Sequence, residues 1–155
     1  MELLLWRHAE AESGVPDLER KLTARGEKHA RRVAQWLNDR LPGAARILVS
    51  PALRTRQTAG ALIDISDRRL RVVPGIAPGA GAEQFLRAVD WRPEAKGTIV
   101  AVGHQPTLGL VASRLLSGQE QGWAIKKGAL WWLSSRPEDG EGDTALIAVV
   151  NPGFL

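Results

Sequence analysis

Leu3-Leu4-Leu5-Trp6-Arg7-His8-Ala9-Glu10 is the stretch on which the fold turns. Four apolar residues in unbroken succession, ending abruptly in charge, suit a short strand covered on both faces rather than one that shows alternate residues to water. Runs of the same kind recur at Ile47-Leu48-Val49, Ile99-Val100-Ala101-Val102, Ala129 to Leu133 and Ala145 to Val150, each bounded by turn-forming residues.

The segments between these runs read as helices. From Thr23 to Arg40 the apolar residues Ala30, Val33, Ala34, Leu37 and Leu41 return at helical spacing, Thr23 can cap the start, and Pro42-Gly43 stops it. A second helix is predicted from Pro51 to about Ile63, with Ser50 as N-cap and Pro51 in the first helical position. A third is predicted from about Glu83 to Val89, and a fourth from Pro106 or Thr107 to Leu116, closed by Ser117-Gly118. Pro74 to Gly81 reads as a loop. Strand–helix alternation of this kind predicts an α/β three-layer sandwich, with a largely parallel sheet and helices on both faces. The last two runs have only the polar loop Arg136 to Asp143 between them and read as an antiparallel hairpin, so the sheet is expected to be mixed. The whole chain, 1–155, is read as a single domain.

Composition removes several classes of function. With no cysteine among 155 residues there is no disulfide framework, thiolate zinc site or cysteine nucleophile. The apolar start Met1 to Trp6 is too short for a signal peptide and lacks a basic leader, and no run approaches the roughly 20 apolar residues of a membrane span. The chain is therefore expected to be soluble and cytoplasmic, without a membrane partner. A net charge of +4 suits an anionic ligand, but no arginine–aromatic interleaving marks a nucleic-acid groove. Two histidines could ligate a metal, yet neither a carboxylate nor a third histidine stands at ligand spacing from them, so neither metal nor cofactor is expected.

In open α/β sheets ligands bind beyond the carboxyl ends of the strands. The first run leads directly into Arg7-His8; alone, that dipeptide is what any solvated loop can carry. The second leads into Ser50-Pro51-Ala52-Leu53-Arg54, and Arg54, one turn into a helix whose side chains lean toward its N-terminus, can reach the same edge, while Arg56 falls on another face. Ile99 to Val102 leads into Gly103-His104. Two histidines and two arginines would thus converge on one small volume, and cationic donors so grouped serve a phosphoryl group.

These residues also carry a family resemblance. Arg7-His8-Ala9-Glu10, then Ser50-Pro51-Ala52-Leu53-Arg54 with Gln57-Thr58-Ala59, then Gly103-His104 resemble, in order, the three motifs of the phosphoglycerate mutase-like histidine phosphatase superfamily. Asp17-Leu18-Glu19-Arg20-Lys21-Leu22-Thr23-Ala24-Arg25-Gly26 and the ending Asn151-Pro152-Gly153 are similar to its SixA-type phosphohistidine phosphatase branch. The resemblance implies a metal-independent phosphatase in which His8 is the nucleophile that becomes phosphorylated, while Arg7, Arg54 and His104 hold the phosphoryl oxygens. It implies as substrate a phosphorylated protein, a phosphohistidine carrier or phosphorelay module, or else a small phosphorylated metabolite; a non-catalytic phosphate-binding adaptor is the reading that a full set of four site residues disfavours.

A neutral imidazole with a lone pair is a competent nucleophile at neutral pH, provided that its other nitrogen finds an acceptor, expected to be a backbone carbonyl. The resemblance also implies a glutamate for leaving-group protonation, as phosphoglycerate mutase-like members carry after their third strand, and Glu83 is the nearest candidate, although its surroundings do not match that motif well and a first-turn glutamate facing the helix dipole is the simpler account. A phosphohistidine substrate loses an imidazole, which needs less help from an acid than an alkoxide does. Gly26, inside a first helical turn, signals close backbone approach near the site. Lys21, Arg25, Lys28 and Arg32 lie near one helix face, either to dock an acidic protein or simply as a solvated face.

Overall fold

A computed structural model describes residues 1–136 and 144–155. Six strands, β1 (Glu2–Arg7), β2 (Arg46–Val49), β3 (Leu70–Val72), β4 (Thr98–Gly103), β5 (Leu130–Ser134) and β6 (Ala145–Val150), form one sheet in the order β3-β2-β4-β1-β5-β6. The first four in that order are parallel; β5 runs antiparallel to β1, and β6 to β5. The mixed α/β sheet is thus as expected, hairpin included; its polar connection lies, apart from Arg136, outside the described residues.

Four helices, α1 (Ala24–Asn38), α2 (Leu53–Ile63), α3 (Ala82–Ala88) and α4 (Thr107–Ser117), cover the sheet. Side chains alternate across a strand, so each strand feeds two cores. Leu3, Leu5, Ile99 and Ala101 pack with Phe85, Leu108 and Val111 from α3 and α4. Leu4, Trp6, Val100 and Val102 pack with Val33, Leu37, Ala59 and Leu62 from α1 and α2. The unbroken apolar runs follow directly from burial on both faces. On β5 the neighbours Trp131 and Trp132 part in the same way, toward Trp123 on one face and Trp36 on the other.

Two local expectations are refined, and one strand was not expected at all. The N-cap of α2 is Ala52, not Ser50, so Pro51 precedes the helix; the Ser50 hydroxyl is drawn to His104 instead, 2.7 Å away. The Pro74–Gly81 segment is not wholly irregular: Pro74–Ile76 forms a 3-10 turn that buries Ile76. The strand β3 was unforeseen, because an edge strand of three residues with an arginine in its middle offers no apolar run to detect.

Candidate active site

The carboxyl ends of β1, β2 and β4 lie side by side, with Arg7 opposite Gly103 and Val49 opposite Val102. Just past them stand His8, Ser50 and His104, and α2 adds Arg54. All four residues singled out from sequence are therefore brought to one edge. The rings of His8 and His104 are 5.4 Å apart, centroid to centroid.

His8 is held through its backbone as well as its ring. Its amide donates to the Gly103 carbonyl at 3.1 Å, and its own carbonyl accepts from the Gly128 amide at 3.0 Å. Ala9 is fixed next to it, its amide donating to Thr58 Oγ1 at 3.0 Å while that hydroxyl donates to the Arg54 carbonyl at 2.7 Å. The approach at Gly128 requires glycine: φ is +75°, and a Cβ there would sit 3.3 Å from the Pro152 ring. The ending Asn151-Pro152-Gly153 thus supports the turn that supports His8.

The backbone carbonyl expected to accept from one nitrogen of His8 is that of Ala9, 2.7 Å from Nδ1. Nδ1–H donates, and the lone pair is left on Nε2. Burial is the main reason that His8 is pushed down to about 4; the Ala9 contact opposes it, and the charges of Arg54, Arg7 and Arg20 add to it. With 7% of its surface exposed, His8 is neutral at pH 7.

His104 is neutral for the same first reason, burial, reinforced by Arg54 and His8, which together bring it down to about 3. Its Nε2 lies 2.7 Å from Ser50 Oγ, which also accepts from the Ala52 amide at 3.3 Å. Where that hydroxyl donates to Nε2, the neutral ring carries its proton on Nδ1. Nδ1 is buried and has no partner among the described residues.

The arginines are half committed. Arg7 Nη1 donates to the Ile125 carbonyl at 2.8 Å, and burial lowers its pKa from the ordinary arginine range. Arg54, 4% exposed, donates through Nη1 and Nη2 to Asp17. In both, Nε is buried and unpartnered. Unpaired buried polar groups are uncommon in native structures, and three residues at this sheet edge each carry one: Arg7 at Nε, Arg54 at Nε and His104 at Nδ1. Among the described residues no three His, Cys, Asp or Glu side chains gather as a metal ion would need.

Glu83 takes no part in this cluster. It lies on the outer side of α3, 61% of its side chain exposed, and accepts from Arg87 Nη2 at 2.5 Å, one turn on. Gly26, by contrast, is where the sequence suggested: a Cβ there would lie 2.1 Å from the Glu10 carbonyl oxygen, two residues past His8. Arg25, from the basic face of α1, is paired with Glu10 rather than free. Sequence reading missed Asp17 and Arg20 as individual site residues. Their only signal was membership of the Asp17–Gly26 stretch, since a carboxylate and a guanidinium in an irregular loop have no periodicity to place them.

A model of the histidine phosphatase superfamily (branch 1) matches residues 3–77. An uncharacterised protein of Picosynechococcus is 36% identical over 124 residues, 77% of this chain and 75% of that protein. The phosphohistidine phosphatase SixA of Escherichia coli is 27% identical over 125 residues, 77% of this chain and 76% of SixA. Among solved structures, a candidate phosphohistidine phosphatase SixA from Nakamurella multipartitia superposes with a TM-score of 0.79 at 29% identity, covering 97% of this chain and 95% of that one.

Proposed function

The chain belongs to the histidine phosphatase superfamily, and from that premise we propose that it hydrolyses phosphohistidine in a protein through a phospho-His8 intermediate. One observation carries the reading: His8 Nδ1 is committed to the Ala9 carbonyl, so Nε2 keeps its lone pair at a sheet edge where Arg7 Nε, Arg54 Nε and His104 Nδ1 are buried and unpartnered.

Nε2 of His8 attacks phosphorus as the substrate's P–N bond breaks, and the bonding pair leaves with the substrate imidazole. Charge in such a transition state spreads over the equatorial oxygens, so the work falls to donors already in place. Arg7 and Arg54 offer their Nε–H groups and His104 its Nδ1–H, and none needs to be reoriented from a competing partner. The leaving imidazole takes its proton from water. A second water then attacks phospho-His8, releasing inorganic phosphate and restoring the free ring.

The position of Glu83 favours a phosphoramidate over an alkyl phosphate. The one carboxylate considered as general acid is turned outward and paired with Arg87, and the leaving group that does without such an acid is imidazole.

Incubating the wild type and His8→Ala with a phosphohistidine-bearing carrier protein and with simple phosphomonoesters tests this. The carrier is expected to be dephosphorylated by the wild type alone. Cleavage of monoesters but not of the carrier would place the substrate among small metabolites, and full activity in the variant would remove His8 from the mechanism.

A further inference from the structure

A guanidinium can hold an oxyanion along either of two edges, the end formed by both Nη atoms or the side formed by Nε and one Nη. In Arg54 the end is taken by a single residue. The Asp17 carbonyl accepts from Nη1 at 2.9 Å, and its carboxylate Oδ2 accepts from Nη2 at 3.1 Å. The side edge is left over, its Nε buried and unpartnered.

Asp17 is itself tied down, although 56% of its side chain is exposed. Its second oxygen, Oδ1, accepts from Arg20 Nη1 at 3.0 Å, and Arg20 Nε donates to the Glu12 carbonyl at 2.7 Å. The loop that carries them is closed at its neck by the Ala11–Leu22 bridge and by the Glu12 amide donating to the Lys21 carbonyl at 2.8 Å. Residues 11–22 thus form a strap, pinned at both ends, whose middle grips the far edge of a buried arginine.

We propose that Asp17 is a positioning residue, which clamps the end of the Arg54 guanidinium so that its Nε edge is presented to two phosphoryl oxygens. This rests on the reading of Arg54 as a phosphoryl-holding group. An exposed ion pair would contribute little by itself, but holding a buried fork in one roll about its long axis decides whether two hydrogen bonds to the anion form or one.

The test is a double-mutant cycle on the full chain, using a phosphohistidine-bearing carrier protein as substrate and tungstate as a competing oxyanion. Asp17→Ala is expected to lower kcat/KM and tungstate affinity by about ten- to a hundredfold, whereas Asp17→Asn, which keeps one side-chain oxygen to accept from Arg54 and gives up the one toward Arg20, stays within about threefold. In an Arg54→Lys background, where there is no fork to align, Asp17→Ala is expected to change either readout by less than about twofold. A drop of equal size in both backgrounds would overturn the inference, as would an Asn variant as impaired as Ala or an Asp17→Ala enzyme that behaves as wild type while Arg54→Lys fails. A fully active Arg54→Lys enzyme would remove the reading of Arg54, and the inference with it.

Discussion

His8 Nδ1 and the carbonyl oxygen of Ala9 are 2.7 Å apart, so the residue that follows His8 fixes which of its ring nitrogens keeps a lone pair. Because the partner is main chain, no substitution at Ala9 removes it; the test falls on His8 itself. His8→Ala is expected to reduce turnover by about a thousandfold or more, as for other covalent catalysts that lose the nucleophile. Rapid quenching of a radiolabelled phosphohistidine substrate is expected to trap label on the wild type and none on the variant. Label on the variant would place the covalent step elsewhere.

The pH dependence follows from the depressed histidines. In the unfolded chain both rings titrate near 6.5, whereas folded His8 stays neutral to about 4 and folded His104 to about 3. The unfolded state therefore binds more protons between these values, and stability, complete above about pH 6.5, falls as acid is added toward pH 4 and 3. Urea unfolding at pH 7 and pH 5 is expected to differ by an amount on the order of a few kcal/mol in favour of pH 7. The acid limb of kcat/KM should lie near pH 4. A limb at 6.5 would contradict burial as the controlling influence on His8.

Ser50 acts one step behind His104. Removing its hydroxyl leaves Nε2 free to take the proton, and the tautomer with Nδ1–H is no longer favoured. Ser50→Ala is expected to lower kcat/KM by about ten- to a hundredfold, with little change in thermal midpoint. An unchanged kcat/KM would mean that His104 does not donate through Nδ1.

Most of this arrangement was legible in sequence because it sits at the ends of buried strands. Leu3 to Trp6, Ile47 to Val49 and Ile99 to Val102 announce themselves by unbroken apolarity, and whatever polar residue comes next must emerge at the sheet edge, which placed Arg7, His8 and His104. Helical periodicity did the same for Arg54. Periodicity fails where the chain is irregular or exposed. Asp17 and Arg20 lie in a loop whose course is set by contacts distant in sequence, and Glu83 looked eligible only because sequence order does not say which side of α3 it faces. Ser50 was read by its local propensity to cap a helix; a hydrogen bond to a histidine 54 residues away overrode it.

Gly26→Ala separates helix propensity from packing. In an isolated helix the change would stabilise by about 1 kcal/mol. Here the added methyl would lie 2.1 Å from the Glu10 backbone oxygen, the same carbonyl that accepts from the Thr23 amide at 3.0 Å. Neither α1 nor the segment after His8 can yield without loosening that bond. A net destabilisation of about 2–4 kcal/mol is expected in chemical unfolding, with activity reduced by displacement of the loop. A variant as stable as the wild type would show that α1 can move away from the site.

Glu83→Gln tests the leaving-group argument. The glutamate is exposed and its hydrogen bond runs along its own helix to Arg87, an i,i+4 pair worth about 0.5 kcal/mol at most. If imidazole leaves with a proton from water, the substitution should change kcat on a phosphohistidine carrier by less than about twofold. Its effect on alkyl phosphates should be no larger, since a side chain turned outward protonates neither leaving group. A selective loss of monoester cleavage, with carrier dephosphorylation preserved, would show instead that α3 swings Glu83 into the site when an alkoxide has to depart.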